Sequence, residues 1–438
     1  MGRAFPELSR LVYTLVRQTV SKAYIRDQIR QRGKASVLVM LNSEGKAENY
    51  LSRVADCFEH SEQHQVLASA AVGRAHIYRK HDHPPALYLK NLGVIYGQVS
   101  KAGFEKLQGA VEASDNIAGT APMRPIRGLG STAPTPTAPQ VAWGVARINA
   151  PALWQQGLSG KGVLVAHLDT GVDGEHPALK PAIQQFAEFD ATGHAIDGAP
   201  IEDSADHGSH TAGIIAGRTF LGQQVGVAPG CQLVSAAVIE GGDQVARVLA
   251  GVDWMLNFPV RVLNLSLGFP GYFDQYVPLL KKLLAKGILP VFAVGNEGPG
   301  TSRSPANYPQ ALSVGAVDAQ GMVDPTSSSE SFPRKVNPIV PDLVMPGIDI
   351  VSANADEANF RLDSGTSMAA PHLSGLAALL YEACPAATVD QMQTAICQSC
   401  SLAQSMTKER ANLGMPDGPK ALAALQKMVA AKKTLAAG

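Results

Sequence analysis

Four polar residues of the 438-residue chain stand where apolar runs end or helical patterns begin. Asp169 closes the run in VLVAHLDTGV, and Asn296 follows PVFAVG. His207 lies in ADHGSHTAG and Ser367 in SGTSMAAPH, each at the start of a helical pattern. The four types form one chemical set. A hydroxyl needs a base to take its proton before it can attack, and imidazole titrates near neutrality. The base needs a carboxylate to fix its tautomer and stabilise the imidazolium. The oxyanion that develops needs donors, such as an Asn amide and a backbone N–H at a helix start. Each residue also has a plainer reading. Asp169 starts a turn, His207 is a helix-start or satisfied buried histidine, Asn296 beside Gly295 suits a turn, and Ser367 is an N-cap. Taken jointly the four complete one mechanism, acyl transfer through a serine nucleophile.

Such a set works only if the fold brings it together. From residue 141 onward the chain alternates buried strands and helices. GVLVAHLDTGV, CQLVSAAVI, VRVLNLSLG, ILPVFAVGNEG and ALSVGAVD are apolar runs that end in Gly, Asn, Asp or another small or apolar residue. SHTAGIIAGRTF, QVARVLAGVDWMLN and YVPLLKKLLAKG read as helices between them. Continuous apolar strands separated by helices predict an α/β fold, a parallel sheet with helices on both faces. Active sites in such sheets lie beyond the carboxyl ends of the strands, where the four residues fall.

Three segments precede this region. Residues 1–34 read as a basic amphipathic helix, with Leu8, Leu11, Val12, Leu15 and Val16 on one face. That face either meets a membrane surface or partner, or packs on the next domain. Residues 35–117 read β-α-β-β-α-β, the order of a smaller α+β ferredoxin-like domain. Residues 118–140 contain five prolines and read as an exposed linker without regular structure, open to nicking.

Lys+Arg and Asp+Glu number 37 each, so the chain carries no basic surplus for nucleic acid. Arg10, Thr14 and Arg17 interrupt the only N-terminal apolar stretch, and no later run is long enough to span a membrane. A cytoplasmic location is expected, the alternative being export by a route without a signal peptide. The five cysteines are then expected as reduced thiols. Cys397 and Cys400 form a C-x-x-C, read either as ordinary thiols at a helix end or as a redox or metal pair.

DTG, HGSHTAG, SLG, GNEG and GTSMAAPH occur in that order, and from Val141 to about Gln426 the chain resembles the subtilisin-like serine proteases, the subtilases. The resemblance implies a subtilisin-like three-layer fold and peptide hydrolysis without a required cofactor. It casts Asp169 as the residue orienting His207, His207 as the base and Ser367 as the nucleophile. Asn296 and the Ser367 N–H would form the oxyanion hole. Ser266, Leu267 and Gly268, with Gly295, would bind an extended protein or peptide substrate and border the S1 pocket. His210 and His372 would be structural. The 35–117 domain resembles a subtilase propeptide, which implies a chaperone and inhibitor of the same chain, released by a cut within roughly 115–140. It could instead be an attached binding domain. A catalytically silent peptide-binding scaffold is the alternative to the enzyme.

Two departures matter. The family's strong calcium site draws on an Asp where this chain has Ala178, and on a loop that reads GRTFLGQQVG without Asn or Asp. A hard cation needs several oxygen ligands, so no calcium is expected there, although the resemblance leaves calcium elsewhere open. Arg303 takes the place at the base of S1, where it either pairs with an acidic P1 side chain or points to solvent.

Overall fold

In the computed structural model the described residues are 25–26, 29–30, 34–41, 57–58, 86–89, 94–112, 117–122, 127–128, 131–133, 141–190, 192–239, 244–355 and 357–437. The chain divides into two compact units. One comprises 1–125, 189–195 and 241–254; the other comprises 126–188, 196–240 and 255–438.

In the first unit, strands β1 (Lys34–Leu41), β2 (Ala86–Leu89), β3 (Val94–Ser100) and β4 (Ile117–Pro122) form one antiparallel sheet in the order β2-β3-β1-β4. That is the ferredoxin-like order. Ala35, Val37 and Val39 alternate inward along β1 and meet Phe104 and Leu107 of helix α1 (Lys101–Glu112) in a small core. Ile25 is buried in the same core and Ile29 packs against it, so the described end of the N-terminal helix faces its own unit. The apolar face from Leu8 to Val16 lies outside the described residues, as do residues 42–56 and 59–85, where the first helix and second strand of the expected β-α-β-β-α-β order would fall. Within 86–100 the chain forms two strands, β2 and β3, paired antiparallel with Leu89 opposite Val94.

The second unit is built on seven parallel strands. They are β7 (Leu164–Asp169), β8 (Ile183–Glu188), β9 (Gln232–Ala237), β10 (Val260–Leu265), β12 (Leu289–Ala293), β14 (Leu312–Val317) and β17 (Leu343–Pro346), ordered β17-β14-β12-β10-β7-β9-β8. Every residue of β7, β12 and β14 is buried, as covering on both faces requires. Only the edge strand β8 exposes part of its length. Helices α2 (Trp143–Arg147), α3 (Ala150–Trp154), α4 (His207–Ala216), α6 (Val277–Ala285), α7 (Thr366–Ala383), α8 (Val389–Ser399), α9 (Lys408–Ala411) and α10 (Gly418–Ala437) complete this unit, while α5 (Gln244–Met255) falls almost wholly in the first. α4 and α7 pack on each other, and α7 runs against β10, β12 and β14. No helix among the described residues is long and apolar enough to cross a membrane.

VRVLNLSLG is not one strand. The chain leaves the main sheet after Leu265 and begins β11 (Leu267–Pro270), which lies between β5 (Arg127–Gly128) and β13 (Arg303–Ser304) in a three-stranded sheet. A second small sheet orders β18 (Ile350–Ala353), β19 (Phe360–Ser364) and β6 (Ser131–Ala133), and β15 (Glu330–Ser331) pairs with β16 (Ile339–Val340). β4, β5 and β6 all fall within, or begin just before, the segment expected to lack regular structure. Proline removes donors, but the residues between prolines still pair wherever a strand edge stands open to them.

Candidate active site

Three neighbouring strands, β7, β10 and β12, each deliver one piece of the site at their carboxyl ends. Asp169 is the last residue of β7 and fully buried. His207 is the first residue of α4, preceded by Asp206 in the left-handed region at φ 60°. His207 Nδ1 donates to Asp169 Oδ1 at 2.6 Å, which leaves Nε2 as the basic nitrogen. Burial alone would raise the Asp169 carboxyl. The charge and hydrogen bond of His207, then His167 and the Thr170 N–H, hold it below its ordinary value.

Behind the carboxylate lies a buried relay. His167 Nδ1 is 2.9 Å from Ser235 Oγ, His167 Nε2 is 2.8 Å from Thr211 Oγ1, and Thr211 Oγ1 is 3.2 Å from Asp169 Oδ2. Desolvation lowers the His167 pKa despite the nearby carboxylates, so the ring is neutral. With His167 neutral and protonated on Nε2, Ser235 donates to His167 and His167 to Thr211, whose hydroxyl proton is shared between Asp169 Oδ2 and the Gly208 carbonyl at 3.1 Å. Sequence reasoning missed His167 and Thr211. The signals were present, since His167 shares Asp169's face of β7 and Thr211 follows His207 by one helical turn.

Ser367 is the second residue of α7, where the helix's positive end lies. Its Oγ donates to the carbonyl of Ser266, the residue between β10 and β11, at 3.2 Å. Ser266 Oγ donates to the Ser367 carbonyl at 2.9 Å, and Asn264 and Ser374 extend this buried bonding. Pro371 explains that contact. It sits inside α7 without an N–H, so the carbonyl four residues back, that of Ser367, lacks its helical donor. The Ser266 hydroxyl replaces it.

Asn296 follows β12. Its Oδ1 accepts from the Thr366 N–H at 2.9 Å and from Thr366 Oγ1 at 2.8 Å, which fixes the amide beside the start of α7. Gly365 has φ 143°, and a Cβ there would come within 2.9 Å of Asn296 Nδ2. Glycine at 365 thus keeps room for the donor.

Arg303 neither points to solvent nor offers a free charge. It is buried in β13; Nη1 donates to the Gly268 carbonyl at 2.9 Å and Nε to Glu297 Oε1 at 2.9 Å, with Nη2 on the same carboxylate. Burial would raise Glu297, but the hydrogen bond and charge of Arg303 hold it low. Arg303 lies where Cβ atoms at Gly268 and Gly295 would touch it, so it is part of the wall beneath those two backbone segments.

His210 and His372 take structural places. His210 Nε2 bonds the Ile350 carbonyl at 2.9 Å, and burial with the charges of Arg361 and His207 lowers its pKa to about 3. His372 Nδ1 bonds the Met368 carbonyl at 2.8 Å, and burial lowers it to about 4. Cys397 and Cys400 lie at the C-terminal end of α8. Burial, with the Asp342 charge, pushes the Cys397 thiol up to about 12, and burial with Cys397 and Asp342 raises Cys400 further, so neither forms a thiolate readily.

Ala178 is buried, and its carbonyl accepts the Arg218 N–H at 2.8 Å. Within the loop that follows, Gln224 Nε2 donates to the Gly217 and Gly226 carbonyls at 2.9 and 2.8 Å. A side-chain amide thus braces the loop from inside with donors, where a hard cation would require acceptors.

The model of the Subtilase family matches residues 160–418. The chain is 35% identical over 254 residues to M-protease of Shouchella clausii (strain KSM-K16), covering 57% of this chain and 62% of that protein. It is 36% identical over 251 residues to Subtilisin Savinase of Lederbergia lenta, 57% of this chain and 87% of that one. It is 33% identical over 262 residues to Subtilisin E of Bacillus subtilis (strain 168), 58% of this chain and 65% of that one.

Proposed function

The chain belongs to the subtilase family, and from that premise we propose that it is a serine endopeptidase acting on proteins and peptides. The observation that carries this reading is the 2.6 Å bond from His207 Nδ1 to buried Asp169, at the end of the strand beside Ser266 and Ser367. His207 Nε2 takes the Ser367 proton as Oγ attacks the scissile carbonyl. Asn296 Nδ2 and the Ser367 N–H, at the positive end of α7, stabilise the oxyanion. His207 then protonates the leaving amine, and water hydrolyses the acyl-enzyme. Leu267 and Gly268 of β11, with Gly295, receive the substrate backbone by strand addition. No cofactor takes part in these steps.

The N-terminal unit is proposed as chaperone and inhibitor of the same chain, which makes the product of translation a zymogen. Its ferredoxin-like order supports this reading together with its place before the peptidase. A fluorophosphonate that labels Ser367, combined with peptide hydrolysis lost in Ser367→Ala, is the expected result. A protein that stays unlabelled and inactive after its linker has been clipped would be the silent scaffold instead.

A further inference from the structure

The proposal that follows rests on the endopeptidase reading and concerns what stands behind Asp169. His167, Thr211 and Ser235 are fully buried, in the otherwise apolar runs VLVAHL, TAGIIA and LVSAA. Polar side chains that only satisfied one another could be exchanged for apolar ones of similar shape at little cost. These three do not stop at one another. Their line of contacts ends on the carboxylate oxygen that His207 does not hold.

The two oxygens of Asp169 are unequally held. Oδ1 accepts from His207 Nδ1 at 2.6 Å and from the Thr170 N–H at 2.8 Å. Among the described residues, Oδ2 accepts from Thr211 Oγ1 alone, at 3.2 Å. That hydroxyl has a rival acceptor in the Gly208 carbonyl at 3.1 Å, three residues back along α4. His167 stands beside this choice. Asp169 Oδ2, 3.9 Å from His167 Nε2, favours the ring proton on that nitrogen. The Nε2–H then donates to Thr211 Oγ1 at 2.8 Å, which leaves the hydroxyl proton to one of the two oxygens. The carboxylate is the stronger acceptor while its charge is uncompensated, that is, while His207 is neutral. Once His207 is an imidazolium, the Gly208 carbonyl competes on better terms. The hydroxyl therefore favours the neutral-base form over the charged one.

We propose that Thr211 and His167 are positioning residues for the hydrolytic reaction: acting through Asp169 Oδ2, they keep His207 unprotonated, and so ready to take the Ser367 proton, to a lower pH than the carboxylate alone would allow. A donor on Oδ2 draws charge away from the oxygen that faces His207, and the imidazolium is then less stabilised. The other titratable groups around the pair have partners of their own. In α4, His210 bonds the Ile350 carbonyl. Ahead of α4, Asp203 accepts from Thr170 Oγ1 and the Ser209 N–H, and Asp206 lies 3.6 Å from Arg361 of β19, which also pairs with Asp363. β9 carries no titratable side chain. In β10, Arg261 bonds the Pro385 and Ala387 carbonyls and covers the ring of Tyr381 from α7. Also in α7, His372 bonds the Met368 carbonyl and Glu382 accepts from the Ser159 and Gly160 N–H groups.

The pH midpoint of His207 tests the proposal in two readouts. One is the low-pH limb of kcat/KM for a peptide p-nitroanilide with Leu at P1, measured after the linker has been clipped. The other is the NMR titration of the His207 ring in the full chain carrying Ser367→Ala, which needs no turnover. Thr211→Val should raise the midpoint by about half a pH unit in both. Thr211→Ser keeps the hydroxyl and should restore the natural value. His167→Val combined with Thr211→Val removes both partners together, which guards against a folding defect, and should raise the midpoint as well. Residues that only filled space would lower the plateau of kcat/KM and leave the midpoint in place. A midpoint unmoved or lowered in either readout overturns the proposal, while hydrolysis by the natural protein leaves the endopeptidase reading standing. A natural protein that neither takes a fluorophosphonate nor hydrolyses the peptide refutes that reading, and the proposed role falls with it.

Discussion

The bond from Ser266 Oγ to the Ser367 carbonyl offers a double-mutant test of how the first turn of α7 is held. Pro371 cannot donate to that carbonyl, and Ser266 does so at 2.9 Å in a fully buried place. In Ser266→Ala the carbonyl is left without its donor. A buried acceptor stripped of its partner costs about 1–3 kcal/mol, to which the weaker Asn264 contact adds little. Pro371→Ala gives the helix its ordinary donor at that position, so the same Ser266→Ala change should then cost only about 0.5–1 kcal/mol, as a hydroxyl loss with the carbonyl still bonded. The coupling energy is expected near 1 kcal/mol. Urea unfolding of the four proteins, all carrying Ser367→Ala to prevent self-digestion, measures it. Ser367→Ala keeps the carbonyl in question. If Ser266→Ala costs the same with the proline present as in the Pro371→Ala background, the serine is not standing in for the missing N–H, and the account of this turn is wrong.

Three further outcomes are expected. Because Glu297 neutralises Arg303, peptides with Asp at P1 should have lower kcat/KM than those with Leu or Phe, and Glu297→Gln should narrow the gap; a preference for Asp in the natural protein would refute the pairing argument. His210 and His372 have folded values of about 3 and 4 against an ordinary 6.5, so the unfolded chain takes their protons first as pH falls. Their contribution is complete above 6.5 and is lost below it, about 4 kcal/mol together by pH 5. Asp342, raised by burial to about 6, works in the opposite direction and returns about 1 kcal/mol over the same window. Urea midpoints of Ser367→Ala should therefore fall from pH 7 to pH 5, and a rise would contradict the assignment of neutral buried histidines. Finally, the Gln224 brace predicts that the 217–226 loop needs no cation, so calcium should not raise Tm through it. A calcium-dependent rise that disappears in Gln224→Ala would count against the brace.

Much of the site was legible because its chemistry is local in type. Asp169, His207, Asn296 and Ser367 each close or open an element whose apolar pattern can be read directly, and strand ends in a parallel sheet converge. Arg303 was not legible. A Gly- and Ser-rich loop suggests solvent, and only the approach of Glu297 and the Gly268 carbonyl turns that loop into a buried wall. The linker misled for a related reason. Its prolines lower the propensity for regular structure, while its pairing depends on open edges at β1, β11 and β19 far along the chain.

What the sequence by itself determined is the set of reacting groups and the alternation of buried strands and helices, since both follow from side-chain type and short-range period. What only the tertiary structure decided is who holds whom: Ser266 in place of an absent N–H, a neutral His167 behind the carboxylate, Gln224 inside its loop, and the linker laid along both sides of Ser367. Those partners are brought together by long-range packing, and a hydrogen bond exists only when its donor and acceptor arrive within about 3 Å of one another, a distance no local pattern encodes.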